Sequence, residues 1–149
     1  MTIRVSSGLR SSMVWSYGIN TMMGYGHIRI YGGAEQPISA DNPPTGDLLG
    51  FVSTDGLTPI PGEVAGGLRM SLVAPGTLGK SGDWVLKGTA TGTATWWRFV
   101  WNDLDPGEIS DYYPRIDGAV GESLFLTTDQ ITPSTGIPVA GFTLLLPYQ

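Results

Sequence analysis

Residues Thr93 to Trp101 read TATWWRFVW and hold three of the chain's five tryptophans. Aromatic and β-branched residues in such a run favour a strand, whose side chains point alternately to opposite faces. Thr95, Trp97, Phe99 and Trp101 then share one face, and Ala94, Trp96, Arg98 and Val100 the other. A large ring on each face removes about 150–250 Å² from water only if that face is covered. The strand therefore has to be covered on both sides. With Trp97, Phe99 and Trp101 turned to the core, Trp96 and Arg98 face outward, and this pair is expected beneath a second subunit.

Turn residues divide the rest of the chain into similar short segments. IRIY (28–31), DLLGFVS (47–53), LRMSLV (68–73), DWVLKG (83–88), EISDYYPRI (108–116), ESLFLTT (122–128) and PVAGFTLLLP (138–147) read as strands. Between them lie Gly32-Gly33, Thr54-Asp55-Gly56, Ala74-Pro75-Gly76, Ser81-Gly82, Asp105-Pro106-Gly107 and Asp117-Gly118 as turns. In LRMSLV, Leu68, Met70 and Leu72 alternate with Arg69 and Ser71, the period of a half-buried strand. The proline-rich stretch 33–45, GAEQPISADNPPT, is expected to be an ordered surface loop. Regular short strands suggest a sandwich, jelly roll or small barrel. The expectation taken is all-β, a single antiparallel β-sandwich, jelly-roll-like, over residues 27–149. A chain of 149 residues is long enough for one such core.

Residues 1–26 are expected to form a short N-terminal helical arm. The helix is placed at 12–23, SMVWSYGINTMM, with Ser11 or Ser12 as N-cap and Gly24 as stop. Gly18 inside it costs about 1 kcal/mol relative to alanine. Met13, Ser16, Tyr17 and Asn20 fall on one stripe, whereas Val14, Trp15, Ile19, Met22 and Met23 lie elsewhere, so the segment needs cover on several sides. Arg4, Arg10, Met13, Trp15, Tyr17, Met22 and Met23, together with Trp96 and Arg98, are the expected assembly interface.

Charge narrows the partners. Charged residues are only 14% of the chain, against about 25% in an ordinary soluble domain, which suggests that something covers much of the surface. Three arginines, Arg4, Arg10 and Arg29, precede the first acid, Glu35, and the net charge is −5. A weakly basic arm thus precedes an acidic body, which argues against nucleic acid as the main partner. With no cysteine there is neither a disulfide framework nor a thiolate metal site. No run of 18 apolar residues and no apolar signal-peptide stretch is present, so neither membrane insertion nor export is expected.

Motifs with chemistry are weak. Ala74 to Ser81, APGTLGKS, matches a relaxed phosphate loop, but the following GDWVLKGTATG reads as strand where a helix would have to begin. Asp103, Asp105, Glu108 and Asp111 cluster, yet Gly107, Glu108 and Pro114 occupy the places where a calcium loop needs an oxygen ligand, glycine and glutamate. Asp105-Pro106-Gly107 reads instead as a turn. His27 is the only histidine and is read as structural, and no Gly-x-Ser-x-Gly accompanies it. No enzyme activity and no cofactor are expected.

Three segments, IRIYGGAEQPISADNPPTGDLLG (28–50), GTATGTATWWRFVW (88–101) and IDGAVG (116–121), carry a resemblance. In order along the chain they resemble small all-β structural proteins of tailed bacteriophages. Such proteins have an R-I-Y strand and loop leading to G-x-L-L, an aromatic-Arg pair (here Trp97-Arg98), and a D-G-x-V-G turn (here Asp117 to Gly121). The resemblance implies a virion component assembled in the host cytoplasm, a capsid decoration or cement protein, or else a head-fibre or tail accessory subunit. Implied partners are itself, as a dimer or trimer, and the major capsid protein. The alternative is a carbohydrate-binding module stacking sugars on Trp96, Trp97 or Trp101. A hydrolase using His27 or the acids at 103–111 is a third reading.

Overall fold

The computed structural model describes residues 3–15, 17–134 and 136–145. Met1 and Thr2 of the expected arm, Ser16 of the expected helix, and Leu146 and Pro147 of the last expected strand lie outside the described residues. The elements are β1 (Arg4–Val5), α1 (Ser7–Trp15), α2 (Ile19–Met23), β2 (His27–Gly32), β3 (Asp47–Ser53), β4 (Met70–Ala74), β5 (Thr77–Lys80), β6 (Val85–Gly88), β7 (Gly92–Val100), β8 (Arg115–Ala119), β9 (Leu124–Leu126), β10 (Gln130–Ile131) and β11 (Gly136–Leu145). The architecture is all-β and antiparallel: strands run β1-β8-β7-β2-β3-β6-β11-β5-β4 across one sheet, with β10 added to β7 and β9 to β11.

That sheet is curled. Between β7 and β11 lie β2, β3 and β6, so a flat sheet would hold β7 and β11 about 19 Å apart. Instead Phe142 of β11 meets Trp97 and Phe99 of β7 with ring centroids 5.3 and 6.0 Å apart, and Trp84 at 5.1 Å. These rings form the interior with Ile28 and Ile30 of β2, Leu49 and Val52 of β3, and Leu86 of β6. The curl brings the two longest strands face to face around an aromatic centre, where edge-to-face ring pairs stabilise beyond the area they bury.

The helical segment differs from its sequence reading. Rather than one helix over 12–23 there are two, and the first begins at Ser7. Its N-cap is Ser6, whose Oγ accepts the Leu9 N–H at 3.2 Å, so neither Ser11 nor Ser12 caps it. A second cap comes from the loop: Asp41 accepts the Ser7 N–H and the Ser7 hydroxyl, each at 2.6 Å. Gly18, expected inside the helix, is the N-cap of α2, and Gly24 ends α2 as expected. The described residues of the arm pack on the body. β1 pairs with β8, and Leu9, Ile19 and Met23 belong to the same core cluster as the β-strand residues.

Two strand expectations change as well. Residues 108–114 form no strand, and Asp117-Gly118 lies inside β8 rather than at a turn. Gly118 is required there because a Cβ would sit 2.4 Å from Cζ2 of Trp97 on the neighbouring strand. The turn follows at Gly121, whose φ is +93°. In β4, which ends the sheet, the alternation breaks: Met70 is buried, but Leu72 is 73% exposed.

Candidate interaction surface

The outer face of β7 is covered by the chain itself. Trp96 stacks on Tyr31 with ring centroids 4.5 Å apart and donates its indole N–H to the carbonyl of Thr45 at 3.1 Å. Arg98 forks onto Asp117, its register partner on β8, at 2.7 and 2.9 Å and also donates to the carbonyl of Asn42. Loop 33–45, which carries Asn42 and Thr45, thus closes over this face, and both Trp96 and Arg98 have no exposed surface. The expectation that a second subunit covers Trp96 and Arg98 is corrected: a proline-rich loop with few side chains to pack presents its carbonyls to them instead. Trp97, likewise buried, offers no sugar platform, and Trp101 is half-buried against Tyr112 and Tyr113.

A second buried pair lies beside the first. Arg115 forks onto Asp105 at 2.7 and 2.8 Å and donates to the carbonyls of Ala40, Asp41 and Glu108. Burial pushes the carboxyls of both Asp105 and Asp117 up. At Asp105 this is outweighed by the hydrogen bonds from Arg115 and the Gly107 amide and the charges of Arg115 and Arg29, so its pKa lies below the ordinary range. Asp105 does build the expected turn, accepting the Gly107 N–H at 2.9 Å with Gly107 at φ +83°. The 103–111 acids do not converge: Asp105 is buried, whereas Asp103, Glu108 and Asp111 are exposed. Among the described residues no group of three or more His, Asp or Glu side chains is arranged to hold a metal ion.

The phosphate-loop match Ala74 to Ser81 is the β4–β5 hairpin, turning at Pro75-Gly76, with Gly79 and Lys80 inside β5. His27 packs against Phe51 with ring centroids 5.7 Å apart. Burial, and then the nearby Arg29 charge, lower its pKa from 6.5 to about 4 against a smaller opposing pull from Asp105. The unfolded chain therefore binds a proton between pH 6.5 and 4 that the folded chain does not. Stability is expected to fall as pH drops through that window, with a slope from this group of up to about 1.4 kcal/mol per pH unit. His27→Gln should flatten that part of a urea-midpoint profile; an unchanged profile would assign the slope to other groups.

Large apolar side chains are exposed on α1, as they also are at Ile38 in loop 33–45, at Leu72 in β4 and at Ile109. Leu9 and Met13 turn inward from α1, while Val14 and Trp15 point outward and are 88% and 83% exposed. Gly8 fixes the helix against the 102–114 segment, since a Cβ there would fall 2.1 Å from the carbonyl oxygen of Tyr112. Three shallow clefts adjoin on this side. One lies between Trp15, Tyr17, Tyr112 and Asp111, a second includes Arg10, Val14 and Trp15, and a third includes Tyr17, Met22, Trp101 and Asp103. Shared Trp15 and Tyr17 make them one surface.

Of the interface residues read from sequence, Arg10, Trp15 and Tyr17 are exposed here. Met13 and Met22 are half-buried against the core, and Met23 is inside it, because α2 packs that residue inward. Arg4 lies away from these clefts on β1, donating to the carbonyl of Pro37 at 3.2 Å. The sequence reading missed Tyr112, 67% exposed and held edge-on by Trp101 and Tyr113. The DYY run that carries it read as strand, so its neighbours in space were not visible. Comparison of the chain with protein-family models, with curated proteins and with solved structures gives no match.

Proposed function

We propose that this protein is a non-enzymatic virion structural subunit, a capsid decoration or cement protein that docks on a phage head through the α1–α2 surface. The observation that carries the reading is the outward pair Val14 and Trp15 on a helix whose other side is locked into the core. Exposed large apolar residues grouped beside aromatic clefts mark interaction sites more often than free surface. The sequence resemblance to tailed-phage structural proteins supplies the setting, and the low charge supplies a surface that needs cover. The body is read as a jelly-roll-like sandwich, which the meeting of Trp84, Trp97, Phe99 and Phe142 across the interior supports. Self-association as a dimer or trimer belongs to the same reading, with Val14 and Trp15 reserved for the capsid.

Purified heads lacking the subunit test it. Wild-type protein is expected to co-sediment with them, and Trp15→Ala to lose about 2 kcal/mol or more of docking energy, roughly 30-fold in affinity, as for a central aromatic anchor. Circular dichroism should be unchanged, since Trp15 is exposed. Co-sedimentation of Trp15→Ala equal to wild type would overturn the reading. A carbohydrate-binding role moves from Trp96 and Trp97 to Trp15, Tyr17 and Tyr112, and saturable polysaccharide binding without head binding would favour it.

A further inference from the structure

Inside the body the chain uses one arrangement twice. The Arg98 guanidinium lies 5.5 Å from the centre of the Trp96 ring and is held by the Asp117 carboxylate. The Arg115 guanidinium lies 5.4 Å from the centre of the Tyr113 ring and is held by Asp105. In each, a planar cation is stabilised by a π face and neutralised by a carboxylate, the combination that suits guanidinium best.

The cleft on the outer side of α1 has the same parts without the cation. Trp15, Tyr17 and Tyr112 supply rings, Asp111 supplies a carboxylate, and Ser11 and Ser12 supply hydroxyls, around a cavity of about 390 Å³. Arg10 lines the adjoining cleft and donates to the hydroxyl of Ser7 at 3.0 Å. Asp103 borders the third cleft, so the surface is apolar with acidic groups along it. Asp111 and Asp103 outnumber Arg10 along this surface, so it is net acidic and a basic partner complements it.

We infer that this cleft receives an arginine side chain of the docking partner, the guanidinium lying on Trp15 or Tyr112 and forking onto Asp111. The inference rests on the docking reading above and gives the partner its chemistry: a protein surface with an arginine projecting from an apolar, basic-rimmed patch.

The test uses the intact protein with ¹⁵N-labelled indoles, titrated with N-acetyl-arginine amide and, separately, with its neutral isostere N-acetyl-citrulline amide. The arginine compound is expected to shift the Trp15 indole signal saturably, leaving those of Trp84, Trp96 and Trp97 in place. Citrulline should bind at least about threefold more weakly, Asp111→Asn should weaken the arginine compound by a similar factor, and added salt should do the same. A lysine analogue should be weaker than arginine, because an ammonium cannot fork or stack. Equal shifts from arginine and citrulline, or no shift at Trp15, would overturn the inference. Head docking that depends on Trp15 but is indifferent to Asp111→Asn would remove the arginine and leave the docking. Docking indifferent to Trp15 removes the docking reading itself, whatever the small compounds do.

Discussion

Asp117→Ala is expected to destabilise the protein by about 3–5 kcal/mol, the range found when one partner of a buried ion pair is removed. The size follows from what is left behind. Arg98 has no exposed surface, and its Nη1 already lacks a hydrogen-bond partner among the described residues. Without Asp117 its Nε also loses its acceptor, and among the described residues the Asn42 carbonyl alone still receives a hydrogen bond from Nη2. A full positive charge would remain in a place water does not reach. Replacing both residues, as Arg98→Met with Asp117→Leu, should cost far less than Asp117→Ala alone, because no uncompensated charge remains. Urea denaturation of the three proteins checks this. Equal losses in the single and double variants would mean that packing at this site, rather than charge, sets its stability.

Leu9→Ala should cost about 2–5 kcal/mol, the range for deleting a fully buried leucine side chain. A leucine on a dispensable arm would cost almost nothing, so this substitution separates an arm from an integral part of the core. Leu9 lies one residue from Gly8, which abuts the Tyr112 backbone, so α1 has little freedom to settle into the space opened. For the same reason, removing residues 1–24 should yield a chain that unfolds or aggregates, since Leu9, Ile19 and Met23 leave the core together. Thermal melts of Leu9→Ala and of the truncated chain, each measured by circular dichroism, are sufficient. A truncated chain melting cooperatively at the wild-type temperature would mean that the body folds without residues 1–24.

Where the pattern is local, the sequence was readable. The period of two in TATWWRFVW gave the strand as far as Val100, its two faces and the need to cover both, whereas Trp101, expected in the core, falls beyond the strand and packs on Tyr112 and Tyr113. DLLGFVS, bounded by turn residues, matches β3 residue for residue. What stayed hidden depends on residues distant in sequence. The cover over Trp96 comes from carbonyls of loop 33–45, and a carbonyl has no sequence signature. Asp117-Gly118 has the composition of a turn, yet Asp117 answers Arg98 across the strand pair and Gly118 makes room for Trp97. Local turn preference loses to a buried ion pair and a close ring. The start of α1 was missed for a similar reason, since its second cap, Asp41, lies 34 residues away. At the interaction surface, Trp15 was legible as an apolar residue outside the helical stripe, and Tyr17 as part of that stripe. Tyr112 and Asp111 were not, because only the folded 102–114 segment sets them beside α1.

The double capping of α1 by Ser6 and Asp41 bears on how fast and how tightly such a surface can bind. A helix already closed at its N-terminus and wedged through Gly8 against Tyr112 has little backbone freedom left to lose when a partner arrives. Ordering a flexible segment would subtract roughly 1–2 kcal/mol per residue from the gross interaction energy. Within α1 that subtraction is confined to a few side chains, so the proposed docking is of the lock-and-key kind there, with a small entropic penalty for the helix.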